Sequence, residues 1–68
     1  MTGGTLGEQY PIEQARCREL LGVYQSLGPV GSFGAAMIED VLKRADRAAV
    51  EGDLVAMLGC FREMQGLE

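Results

Sequence analysis

Apolar residues return every three or four positions in three separate stretches of this chain, the spacing of amphipathic helices. The first predicted helix covers residues 11–27. Pro11 suits a first helical turn, where its missing amide costs nothing, and Glu13 sits near the positive end of the helix. Ile12, Leu20, Val23, Tyr24 and Leu27 form the apolar face. Cys17 and Leu21 broaden it to about half the helix circumference, more than one helical partner covers. Arg16 falls inside this arc. It either snorkels from the edge of the core or enters a buried or interfacial ion pair. Gly28 supplies a left-handed cap, and Pro29 blocks continuation of the helix.

The second predicted helix follows a bend over residues 28–34 and runs to Glu51, with Ser32 as its expected cap. Met37, Ile38, Val41, Leu42, Ala45, Ala48 and Ala49 make its apolar arc, and the alanines permit close approach of a neighbour. Glu39 to Lys43 and Asp40 to Arg44 have the favourable four-residue order of helix ion pairs. Gly52 ends this helix and Asp53 caps the third, over residues 54–65. Leu54, Met57, Leu58, Phe61 and Met64 form its expected core stripe, with Cys60 at one edge. The short Gly52-Asp53 link favours an antiparallel pair. The expected fold is all-α: a compact, hairpin-like three-helix bundle over residues 10–68, preceded by a flexible arm over residues 1–9.

Composition changes this picture in one way. Of 68 residues, 47% are hydrophobic, a surplus over what so small a core holds. Self-association, most simply as a homodimer, is therefore expected. The net charge of −4 disfavours generic nucleic-acid binding, which depends on phosphate neutralisation. The opening Met-Thr-Gly-Gly-Thr lacks a basic region and a long apolar run, and no apolar run reaches the length of a membrane span. The expected location is the cytoplasm.

Candidate chemistry is sparse. The chain has no histidine, which removes the usual neutral-pH acid–base group. Without histidine or a close cysteine pair, no metal is expected. Cys17 and Cys60 sit in apolar patterns and read as buried thiols, with a disulfide as the alternative. No catalytic residue and no cofactor are expected, and the chain reads as a non-enzyme. An anion site is conceivable at Ser32 and Gly34, where the amides opening the second helix face outward, with charge supplied by Lys43, Arg44 and Arg47. Those bases equally suit a solvated helix face. Tyr24 and Phe33 either cap the core of one chain or supply aromatic contacts at an interface. Arg16, Leu21, Val23, Tyr24 and Phe33 are the candidate protein-binding residues.

Residues 10–64, above all Arg16-Cys17-Arg18-Glu19-Leu20-Leu21 and Phe33-Gly34-Ala35-Ala36-Met37-Ile38, resemble small accessory proteins of transposable bacteriophages and related bacterial prophages. The resemblance implies action inside a bacterial host cell and a host protein target. It assigns no individual residue. The leading expectation is a small inhibitor or modulator that binds a host regulatory or defence protein. The alternatives are an oligomeric sponge for cyclic nucleotides and a non-enzymatic structural subunit.

Overall fold

The computed structural model describes residues 5–68. They form α1 (Leu6–Ser26), a 3-10 turn (Gly28–Gly31), α2 (Ser32–Glu51) and α3 (Leu54–Gln65). The three helices all pack on one another, and there is no strand among the described residues. The expected three-helix bundle is the observed fold.

The start of α1 differs from the expectation. Thr5 and Glu8 close a capping box: the Glu8 amide donates to the Thr5 hydroxyl at 3.2 Å, and the Thr5 amide donates to Glu8 Oε1 at 3.3 Å. Pro11 therefore lies inside the helix, not in its first turn. It leaves the Gly7 carbonyl without its amide donor, an acceptable loss because both residues are exposed to water. Residues 5–9 of the expected arm are cap and helix; residues 1–4 lie outside the described residues.

The earlier start turns the buried face of α1. Tyr10 and Cys17 are buried, and Leu6, Leu20, Leu21 and Tyr24 pack against the core beside them. Tyr10, Cys17 and Tyr24 are seven residues apart in turn, the repeat of a helix that follows its neighbours in a bundle. Ile12, Val23 and Leu27, expected in the face, are more than half exposed. The buried Tyr10 hydroxyl donates to the Ala45 carbonyl at 2.8 Å, and its ring stacks on Phe61 with centroids 6.3 Å apart. Burial pushes the Tyr10 phenol above its ordinary value, with smaller contributions from Cys60 and Asp46. At mid-seam Gln14 donates to Asp46 Oδ1 at 2.7 Å, and Arg18 grips both oxygens of the same carboxylate. These contacts set α1 antiparallel to α2.

At the bend, Gly28 takes φ 68°, as its left-handed capping role requires. Ser32 is not the cap of α2. Gly31 holds that position, and the Ser32 hydroxyl donates back to the Pro29 carbonyl at 3.0 Å. The 3-10 turn runs directly into α2, so Ser32 is already helical. At the other end Gly52 also takes φ 68°, and Asp53 accepts from the Ala56 amide at 3.1 Å. α3 returns antiparallel to α2, as the short link requires. Its stripe is rotated from expectation: Cys60 and Met64 are buried, while Leu54 and Leu58 are 63% and 53% exposed. Cys60 and Met64, with Met57 and Phe61 beside them, turn α3 toward the core, while Ala56 and Gly59 line an open depression beside Ala48. Arg44 fastens the pair, donating through Nη1 and Nη2 to the two oxygens of Glu63 at 2.9 and 2.8 Å, and through Nε to Asp40 at 3.0 Å.

Candidate interaction surface

The bend between α1 and α2 carries five exposed apolar side chains. Val23 and Leu27 are one turn apart on α1, Phe33 and Met37 one turn apart on α2, and Val30 projects from the turn between them. Val30 is 88% exposed and Phe33 78%; the other three are each about half exposed. Their exposure follows from how the bend is locked. The Tyr24 ring edge lies where a Cβ on Gly34 would stand, and the Tyr24 carbonyl occupies the corresponding place at Gly31. Two glycines thus let α1 and α2 close tightly on Tyr24. With the inner side filled by that ring, the larger residues around the bend face outward.

Past the end of α3 the seam receives the tail, where Leu67 packs against the core. At 1.5 Å per residue, the 20 residues of α2 span about 30 Å and the 12 residues of α3 about 18 Å. Roughly two turns of the α1–α2 seam therefore extend past the end of α3. A groove of about 150 Å³ lies there, lined by Tyr24, Gly34, Met37, Ile38 and the tail Gly66, Leu67 and Glu68. The tail is held by Tyr24, whose hydroxyl donates to the Glu68 carbonyl, and by Arg16. Arg16 donates to the carbonyls of Met64 and Leu67 and to Glu13. It closes the C-terminal end of α3, where a cation favours the exposed carbonyls.

No protein-family model, curated protein or solved structure matches this chain. The surface is therefore read from its own residues.

Of the five residues expected to bind protein, the structure leaves Val23 and Phe33 open to solvent. Leu21 and Tyr24 pack against the core, and Arg16 is committed to α3. Leu27, Val30 and Met37 join the surface. Val30 had a sequence signal, since a side chain between Pro29 and Gly31 in a bend has little to pack on. Leu27 and Met37 had none, because both belong to apolar arcs whose buried part only the neighbouring helices select.

The candidate anion residues are not brought together. Ser32 and Gly34 open α2, whereas Lys43, Arg44 and Arg47 lie on its later turns, about 14–22 Å along the axis. Gly34 serves the Tyr24 contact. Arg44 is held by Glu63 and Asp40, whose hydrogen bonds raise its already high pKa. Lys43 and Arg47 make no ion pair among the described residues. Together with Arg44 they line an open depression of about 390 Å³ on the outward side of α2.

Both cysteines are buried free thiols. Burial raises each thiol pKa above its usual value, against a smaller opposing pull from Arg16 on Cys17 and from Arg44 on Cys60. Each therefore stays protonated at neutral pH, unlike a reactive thiolate. No described helix is long and apolar enough to cross a membrane.

Proposed function

We propose that this chain is a small protein-binding modulator that acts by covering a surface of another protein with its bend. The observation that carries the reading is the outward display of Val30 and Phe33 on a bend fixed from inside by Tyr24. With Val23, Leu27 and Met37 they expose five large apolar side chains around one bend, the kind of surface that marks interaction sites. Presented by a single turn, they match the apolar centre of a specific interface. Pre-ordering the bend also lowers the entropy cost of docking. The resemblance to phage and prophage accessory proteins supports a host protein as the target, in the bacterial cytoplasm.

Site-specific photocrosslinking tests this. A benzophenone side chain is placed at Phe33 or at Val30, and for comparison at Lys43, in the bacterium that carries the gene. Discrete protein adducts at the two bend positions and none at Lys43 are expected. Absence of adducts at the bend, from a chain shown to be folded, would falsify the reading.

A further inference from the structure

The bend surface has an electrostatic character that narrows its partner. Residues 19–42 contain Glu19, Glu39 and Asp40 and none of the six Lys and Arg. Glu19 stands one helical turn before Val23, and Asp40 nearly one turn after Met37, so each carries the apolar row into an acidic edge. Glu68 lines the groove between them. Asp40 is shared with Arg44, whereas Glu19 and Glu68 make no ion pair among the described residues. Of the bases flanking this stretch, Arg16 is held by Glu13 and the carbonyls of Met64 and Leu67, Arg18 by Asp46, and Arg44 by Asp40 and Glu63, while Lys43 makes no ion pair among the described residues. The surface is therefore apolar at its centre and acidic at its margin.

Its shape is that of a helix seat. Arg16 and Tyr24 of α1 reach the C-terminal end and tail of α3. On α2, Met37 and Phe33 continue along the side from which Arg44 and Ala48 face α3. The row that receives α3 thus runs on past its end beside the tail, with a groove of about 150 Å³ between them. Two like acidic margins repel across a two-fold pairing of this face, which disfavours a second copy as the occupant.

Resting on the protein-binding reading above, we infer that this face seats a cationic amphipathic helical segment of another protein, its apolar side on Val30, Phe33 and Met37 and its Lys or Arg side chains facing Glu19 and Glu68. Such a segment docks through anchors about three, four and seven residues apart. The apolar contact supplies affinity, and the acidic margin supplies the choice of partner.

The test uses the full chain and three synthetic amphipathic peptides. They share one leucine stripe and differ only at their polar positions, which are all lysine, all glutamine or all glutamate. Binding is read by fluorescence anisotropy at low and high salt. The lysine peptide is expected to bind at least about ten-fold tighter than the glutamate peptide, with the preference shrinking as salt screens the charges. Phe33→Ser should weaken the lysine peptide by about ten-fold or more. Glu19→Gln should reduce the charge preference while leaving the glutamine peptide unchanged. Equal affinity for all three peptides, dependent on Phe33, overturns the cationic partner and leaves the protein-binding reading standing. Binding of no peptide, or of the lysine peptide without regard to Phe33, also overturns it. So does a dimer in light scattering that Phe33→Ser dissolves, which assigns the face to self-association.

Discussion

Gly34 and Gly59 are both helical glycines, and their surroundings make them opposites. A Cβ at Gly34 would fall within the Tyr24 ring, whereas at Gly59 it meets nothing within 4 Å. Alanine at Gly59 gains helix propensity without a clash, so Gly59→Ala is expected to stabilise the chain by about 0.5–1 kcal/mol. Gly34→Ala forces the Tyr24 ring outward and strains its bond to the tail. A net loss of about 1–2 kcal/mol is expected despite the same propensity gain. Urea unfolding of the two variants beside the parent checks both signs. Two equal stabilisations would mean that Tyr24 yields freely and does not fix the bend. The sequence places Gly34 in the bend and Gly59 inside the third helix, but it does not tell which can take a Cβ. Only the neighbour across the helix interface does.

At the scale of elements, each helix start has a side-chain cap or none, with different consequences. Thr5 and Asp53 both cap through side chains. Thr5→Ala and Asp53→Ala should each cost about 1 kcal/mol, seen as lowered unfolding midpoints. α2 has no side-chain cap, so Ser32→Ala should change stability by less than about 0.5 kcal/mol. The α2–α3 pair adds a pH dependence. Hydrogen bonding from Arg44 holds the Glu63 carboxyl below its usual 4.5. A carboxylate depressed in the folded state binds fewer protons there than in the unfolded chain. Its stabilising contribution is thus present above the usual value and is lost as pH falls through the folded one. The pair is about half exposed, so the contribution is modest. Denaturation followed from neutral pH into acid should show a shallower loss of stability below about pH 4.5 for Glu63→Gln than for the parent. An identical acid limb would show that the pair is open in solution.

For the whole molecule the decisive matter is which apolar residues serve the fold and which face outward. The core joins Tyr10 and Cys17 of α1, Ile38, Leu42 and Ala45 of α2, and Met64 of α3, and Phe33 and Val30 contribute nothing to it. The double substitution Val30→Ser with Phe33→Ser should therefore leave the helical circular dichroism intact and shift stability by no more than about 0.5 kcal/mol, while removing the crosslinks proposed for the bend. A collapse of the fold would place these residues in the core and withdraw the surface. The extents of 42 × 25 × 16 Å fit this division, because an elongated bundle with a short third helix leaves one end of its long seam to the tail alone.

Helical periodicity, the glycines at 28 and 52, the Asp53 cap and the short link were legible in the chain alone, because each acts through contacts within a few residues. They determined three helices, the ends of α1 and α2, the start of α3 and its antiparallel return. Which third of each broad apolar arc turns inward was decided only in the tertiary structure. The reach of α1 back to Leu6 brought Tyr10 into the core and turned Ile12, Val23 and Leu27 out. The side of α3 that carries Cys60 and Met64 turned inward and left Leu54 and Leu58 in water. An apolar arc of about half a helix offers several orientations of similar burial. The choice among them came from partners distant in the chain: the Ala45 carbonyl for Tyr10, the α3 carbonyls for Arg16 and the bare Gly34 backbone for Tyr24.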